Sequence, residues 1–358
     1  MTGKYASDPE WASIEPIPLN DGSDSGALPL ATIAYTDDYI EATSYLRAVM
    51  AANEMSDRAL KLTEDIISMN PAHYTVWIYR AKILFALKKD LKEEFEWLNR
   101  VSLKYLKNYQ IWQHREVIVS CRDQFPTLPD RELDFLMEMF AQDSKNYHVW
   151  KYRHWLVRHF KLWDLPREIE DVEALLKADV RNNSAWNHRF VLRFGPRGDD
   201  EPDAGMPNGG AMGADKGRLA VADEDVIDAE LQYAQAKILL APENRSPWSY
   251  ARGVLRAAGR PLSEWKDFAS KFVTEKKKHD AEDGEDEIEV EVKSSHAVEW
   301  LADVLAEQVS GSETDKSEAV KMLTLLKEKY DPIRKNYWDY RIKMLDSFAV
   351  PYGVSASA

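Results

Sequence analysis

The stretch Lys107-Asn-Tyr-Gln-Ile-Trp-Gln-His-Arg115 returns 38 residues later as Lys145-Asn-Tyr-His-Val-Trp-Lys-Tyr-Arg153, and this return constrains the fold more than anything else in the chain. Looser copies lie at His73–Arg80, Asn182–Arg189, Asn244–Arg252 and Arg334–Arg341. Trp77, Trp112, Trp150 and Trp186 are spaced by 35, 38 and 36 residues, a period that marks a repeat architecture. Residue types recur at fixed offsets from the tryptophan. Asparagine comes four before it (Asn108, Asn146, Asn182, Asn244), tyrosine three before (Tyr74, Tyr109, Tyr147), and Tyr or His two after. Arg80, Arg115, Arg153, Arg189 and Arg341 come three after, while the fifth copy slips to Arg252.

These offsets predict a helix opening at each signature. Asparagine is a strong N-cap, its side-chain oxygen accepting an orphan N–H, and Pro71 and Pro247 sit where a first turn tolerates proline. Tryptophan and the arginine three later share a helix face, so the guanidinium is expected against the indole. A buried arginine then needs an acceptor, expected on the neighbouring repeat. Each signature is preceded by a segment with an apolar stripe, such as Leu133, Leu136, Met137 and Phe140, which must pack on its neighbours to be stable. The pairs expected are Leu60–Met69 with Tyr74–Leu87, Leu91–Tyr105 with Tyr109–Cys121, Asp130–Phe140 with Tyr147–Phe160, and Pro166–Val180 with Ser184–Arg193. Before them, 36–53 has helical spacing, and Ser56 or Asp57 can cap the helix that stops at Asn70-Pro71. Asp223–Leu240, Pro247–Ala258, Leu262–Lys277, Ser294–Gln308, Ser317–Lys329 and Ile333–Leu345 complete an all-α solenoid of antiparallel hairpins, an α-α superhelix over 35–346.

Residues 1–34, with Pro9, Pro16, Pro18 and Pro29, read as a flexible arm, and 347–358 as a loose tail. Two insertions interrupt the repeats: a Gly- and Pro-rich loop at 195–217, and an acidic run at 279–293 that reads as solvated. The single cysteine, Cys121, rules out an internal disulfide framework and fits a reducing, cytoplasmic setting. No apolar run reaches transmembrane length. A net charge of −14 argues against nucleic-acid binding. Trp112, Trp150, Arg115 and Arg153 are expected to hold the repeats together. For Trp97, Trp155, Trp163, Trp265 and Trp300 the pattern does not decide between core and surface.

The chain lacks a P-loop, a G-x-G-x-x-G and an H-E-x-x-H. What remains is the pair of helix starts Lys107-Asn-Tyr-Gln and Lys145-Asn-Tyr-His. A helix N-terminus beside a lysine and a tyrosine hydroxyl can hold a phosphate or carboxylate. The same residues can equally be a solvated lysine and packing tyrosines.

The forms Asn108-Tyr-Gln-Ile-Trp-Gln-His-Arg115 and Asn146-Tyr-His-Val-Trp-Lys-Tyr-Arg153 resemble the alpha-subunit repeat of protein prenyltransferases, over roughly Tyr35 to Leu345. Lys107-Asn-Tyr-Gln110 looks most like the subunit shared by farnesyltransferase and type I geranylgeranyltransferase. The resemblance implies a crescent of hairpins around a beta subunit, active as a heterodimer. The reaction implied is transfer of farnesyl or geranylgeranyl from its diphosphate to the cysteine of a CaaX C-terminus. It implies that Lys107 reaches the diphosphate, that Tyr109 lines the same pocket, and that Gln110 binds the peptide carboxylate. Asn146, Tyr147 and His148 would line the substrate region. Zinc (Zn2+) is implied with its ligands in the beta subunit, and magnesium (Mg2+) at the diphosphate. Two alternatives share the helical repeats: the alpha subunit acting on Rab proteins, and a non-catalytic scaffold. Gln110 speaks against the first, and the period near 36, with no tetratricopeptide pattern, against the second.

Overall fold

The computed structural model describes residues 3–19, 31, 33–197, 223–279, 286–308 and 313–347. The expected tail beyond 347, the glycine-rich insertion from 198 onward and the middle of the acidic run lie outside them. Two compact units are formed, Met1–Leu162 and Trp163–Ala358.

In the first unit, α1 (Asp37–Ala51) precedes three hairpins: α2 (Asp57–Met69) with α3 (Tyr74–Ala86), α4 (Leu91–Lys104) with α5 (Tyr109–Val119), and α6 (Glu132–Gln142) with α7 (Tyr147–Phe160). The second helices also stack on one another, α3 on α5 and α5 on α7. The second unit holds α8 (Pro166–Ala178) with α9 (Asn183–Phe194) and α10 (Glu224–Leu240) with α11 (Arg245–Ala257). A 3-10 turn at Leu262–Trp265 leads to α12 (Lys266–Ser270) and two strands, β1 (Val273–His279) and β2 (Asp286–Val292). After them come α13 (Ser295–Gln308), α14 (Glu313–Leu325), a π-helical turn at Leu326–Tyr330, and α15 (Lys335–Ser347). The described fold is thus that of an all-α helical-hairpin repeat, an α-α superhelix, with one small β element.

The signature's cap works as its chemistry dictates and does more. The Oδ1 atoms of Asn108, Asn146, Asn182 and Asn244 accept the N–H of Ile111, His148, Ser184 and Ser246 at 3.0–3.2 Å. Three of these asparagines also donate their amide to the preceding hairpin's turn: Asn108 to Pro71 O, Asn146 to Leu106 O and Asn244 to Val180 O, at 2.7–2.9 Å. Pro71 lies in that turn, before α3 begins, and its carbonyl also accepts the Trp77 indole N–H at 2.8 Å. Trp77, Trp112, Trp150 and Trp186 are all core residues, as are Trp163, Trp265 and Trp300, while Trp97 and Trp155 are half-buried.

The guanidiniums do not lie on their own indoles, as expected, but on rings of neighbouring first helices. Arg80 lies 4.0 Å over Trp97, Arg115 4.0 Å over Phe95, and Arg189 3.8 Å over Tyr233. Buried glutamates draw them there. Arg80 forks Glu94 on α4 (2.7 and 2.6 Å), Arg115 forks Glu132 on α6 (2.8 and 2.5 Å), and Arg189 forks Glu230 on α10 (2.6 and 3.0 Å). The acceptor is therefore on the neighbouring hairpin. The same glutamates meet the ring two after the next tryptophan: His114 Nε2 is 2.9 Å from Glu94, and the Tyr250 hydroxyl donates to Glu230 at 2.8 Å. His188 meets Glu168 at 2.7 Å in the same way. Each arginine–glutamate pair is a desolvated, bidentate clamp between successive hairpins, costly to break from one side.

Two departures from the expected pattern have clear causes. The helix expected over Leu262–Lys277 ends at Ser270, and β1 pairs antiparallel with β2, Val273 opposite Val292. The run Glu287-Ile-Glu-Val-Glu-Val292 alternates with period two, which suits a strand and not a solvated coil. Val273 and Val292 pack beside the cluster of Val298, Leu323, Leu326 and Trp338, and the Tyr330 hydroxyl donates to Val290 O at 3.0 Å. At the other end, residues 3–19 lie against α1 and α2 where a flexible arm was expected. Tyr5, Trp11 and Tyr45 form a three-ring cluster with centroids 5.2–5.5 Å apart. The Tyr5 hydroxyl donates to Asp65 at 2.7 Å, and Ile17 N–H donates to Ser44 O at 3.1 Å. Burying two aromatic rings offsets the ordering cost that prolines alone would not.

Candidate functional site

The chemistry-bearing residues of the two best-matched signatures meet on the first unit, where α5 and α7 begin side by side. Lys107 stands in the turn before α5, its side chain 73 % exposed, and its ammonium hydrogen-bonds Asp143 at the end of α6. Tyr109, Tyr147 and their counterpart Tyr74 open their helices and are exposed, so they are not the packing residues that a structural reading would make them. The His148 imidazole stands edge-on to both rings, 5.7 Å from Tyr109 and 5.5 Å from Tyr147. Burial first, then the charges of Lys107 and Lys151, holds its pKa below the ordinary histidine value, so the ring is neutral at physiological pH.

Gln110 is half-buried one residue after Tyr109 and makes no side-chain hydrogen bond among the described residues. Asn146 is buried and occupied by its cap and by Leu106 O, which places it among the positioning residues of this face. Trp112, Arg115, Trp150 and Arg153 are buried behind it, Arg115 and Arg153 completely. The structure thus brings Lys107, Tyr109, Tyr147 and His148 together at one surface, with Gln110 next to Tyr109 in the chain, and separates from them the four residues read as structural.

The sequence reading missed two members of this surface. Asp143, four residues before Tyr147, holds the Lys107 ammonium, and Lys151, three after His148, lies over the Tyr109 ring at 5.6 Å. Helical spacing from His148 was the available signal for the second. Asp143 faces Lys107 and Glu116 faces Lys151. Among the described residues no group of three or more His, Cys, Asp or Glu could hold a metal ion. The face suits an anion: fixed positive charge, phenol hydroxyls and a neutral imidazole.

The protein prenyltransferase alpha subunit repeat matches residues 56–87, 91–122, 129–160 and 165–193. The chain is 34% identical over 345 residues to the protein farnesyltransferase/geranylgeranyltransferase type-1 subunit alpha of Candida albicans, covering 94% of this chain and 98% of that one. It belongs to the protein farnesyltransferase/geranylgeranyltransferase type-1 alpha-subunit family.

A solved structure, Candida albicans protein geranylgeranyltransferase-I complexed with GGPP, matches this alpha-subunit chain with a TM-score of 0.75 at 34% identity, over 95% of this chain and 99% of that one. The geranylgeranyl transferase type-2 subunit alpha of Bos taurus is more distant, 28% identical over 62% of this chain and 37% of its own length. The type-2 alternative is therefore the weaker one. Among the described residues of this alpha subunit, no helix is long and apolar enough to cross a membrane.

Proposed function

We propose that this chain is the alpha subunit of a heterodimeric CaaX prenyltransferase, and that it presents Lys107 to the diphosphate of a farnesyl or geranylgeranyl donor seated with a beta subunit. The observation that carries this reading is the convergence of Lys107, Tyr109 and His148, from two successive hairpins, on one exposed face. In the reaction, the sulfur of the substrate cysteine bonds to C1 of the isoprenoid as the C1–O bond breaks. The electron pair of that bond leaves with the pyrophosphate, whose charge rises in the transition state. A fixed ammonium beside those oxygens stabilises the transition state more than the ground state. Lys107 would exchange Asp143 for a phosphate oxygen, a small loss because an exposed ion pair contributes little. Tyr109 and Tyr147 offer hydroxyls and ring edges to the donor, and the Gln110 amide suits the peptide's terminal carboxylate. Zinc, which lowers the thiol's pKa when bound, would sit in the beta subunit. A cytoplasmic location fits a chain with one free cysteine.

Co-expression with a beta-type subunit and an assay of prenyl transfer to a CaaX peptide tests this. The complex transfers the prenyl group, and Lys107→Ala assembles but turns over about 100-fold more slowly. Unchanged turnover in that variant removes Lys107 from the diphosphate.

A further inference from the structure

Lys151 is a cation of this face that has no role in that reading. It lies one helical turn after His148 on α7, so the two share a side of the helix. Its side chain is only 23 % exposed, yet it makes no hydrogen bond among the described residues. Its ion-pair partner Glu116 stands at 3.8 Å, beyond hydrogen-bond range. An ammonium carries three donors, and on this half-buried lysine the described residues fill none of them. The Tyr109 ring beneath it, 5.6 Å away, offsets part of the charge but accepts none of its hydrogens in the strong sense. Lys107 is the opposite case, exposed and already hydrogen-bonded to Asp143. Both lysines nonetheless act on the same imidazole, that of His148, although they come from different hairpins.

Resting on the reading above, we infer that Lys151 is a second cation of the diphosphate site: a recessed ammonium that donates to phosphate oxygens from behind the Tyr109 ring while Lys107 closes on them from the solvent side. A diphosphate suits this pair better than a carboxylate does. It offers two phosphoryl groups, so two ammoniums can be filled at once, and a half-buried donor without a protein acceptor gains from an ionised one. This makes Lys151 a substrate-contacting residue, distinct from the buried arginines that clamp the hairpins.

The test uses the assembled heterodimer with inorganic pyrophosphate as a competitive probe against the prenyl diphosphate. Lys151→Met, which keeps the stem and removes the charge, should weaken pyrophosphate inhibition and raise the KM for the prenyl diphosphate by about tenfold, as loss of one charge-assisted hydrogen bond requires. The KM for the CaaX peptide should stay put, and Lys151→Arg should recover most of the loss. If Lys151→Met fails to assemble, Lys151→Gln makes the same measurement. Unchanged pyrophosphate inhibition with a lowered melting temperature would show a purely structural lysine and overturn the inference. A rise confined to the peptide KM would give Lys151 to the carboxylate and overturn it equally. Lys107→Ala, run beside these, separates the two levels. If it weakens pyrophosphate inhibition and the Lys151 variants do not, only this inference falls; if none does, the diphosphate reading of the whole face falls with it.

Discussion

Within one signature, the residues around the tryptophan divide between water and the dry interior. At α5, Lys107 in the preceding turn and Tyr109 at the helix start come before Trp112 and are exposed, whereas His114 and Arg115 follow it and are buried. The buried position three after the tryptophan holds the same residue in α3, α5, α7 and α9: Arg80, Arg115, Arg153 and Arg189. The position two before it holds Thr75, Gln110, His148 and Ser184, and the one just after it Ile78, Gln113, Lys151 and Asn187. A clamp between hairpins has one chemical solution, a planar fork on a carboxylate, and so it repeats. A binding face needs different groups at different points, and so the same positions diverge. Repetition builds the wall, and divergence within the repeat marks the site.

Breaking the wall should give the largest effect. Arg115→Ala strands Glu132, which is 1 % exposed, and should cost about 3–5 kcal/mol in denaturant unfolding. Replacing both partners with apolar residues of similar volume should recover most of that loss. A single variant within about 0.5 kcal/mol of wild type would show that the clamp does not hold the hairpins together.

Acid should loosen the same wall. Burial raises the Glu94 pKa, but hydrogen bonds from His114 and Arg80 and the Arg80 charge outweigh it and hold the carboxyl at about 2. A depressed carboxylate contributes stability that is present above its unfolded value of about 4.3 and is lost as pH falls toward the folded value. The contribution at neutral pH is about 3 kcal/mol. Melting temperature should therefore drop between about pH 4.5 and 2 in the wild type and follow a flatter course in Glu94→Gln. Parallel profiles would show that Glu94 is not the titrating group.

How much of this was legible in the sequence follows the same division. The caps, the tryptophan core and the helix pairs were legible because each has a local rule, Asn at the cap and aromatic spacing at one turn. The glutamate clamps were not, because Glu94, Glu132, Glu168 and Glu230 lie on first helices that carry no signature of their own. Their signal was long-range: each stands 18 residues before a tryptophan. The β1–β2 hairpin was hidden by its charge, since Glu287, Glu289 and Glu291 read as an acidic run until their alternation with Ile288, Val290 and Val292 is counted. Lys107, Tyr109 and His148 stood out by type, but whether they met depended on the stacking of α5 on α7. Lys151 needed the structure outright, because a half-buried ammonium without a hydrogen bond has no sequence signature.

Between wall and face sit the indoles, and they should separate more finely. The Trp150 indole N–H donates to Ser144 O at 2.9 Å, while that of Trp112 is buried without a partner among the described residues. Trp150→Phe loses a bond and strands a carbonyl, whereas Trp112→Phe removes a donor that already goes unfilled. The first should cost about 1 kcal/mol more than the second by denaturant midpoint. Equal losses would mean that ring volume alone matters at both positions.

The smallest effect on stability belongs to the exposed pair, and there the comparison is sharpest. Asp143 holds Lys107 in the open and also accepts the Lys145 N–H at 3.3 Å, a bond asparagine can keep. Asp143→Asn should therefore change stability by less than about 1 kcal/mol, the range of a surface ion pair. It should act instead on binding. With its carboxylate gone, the Lys107 ammonium no longer has to leave a partner to reach the diphosphate, and the KM for the prenyl diphosphate should fall by up to about fivefold. A rise in that KM would mean that Asp143 aims Lys107 at its substrate and does not compete for it, and the exposed end of the signature would then be as preorganised as the buried one.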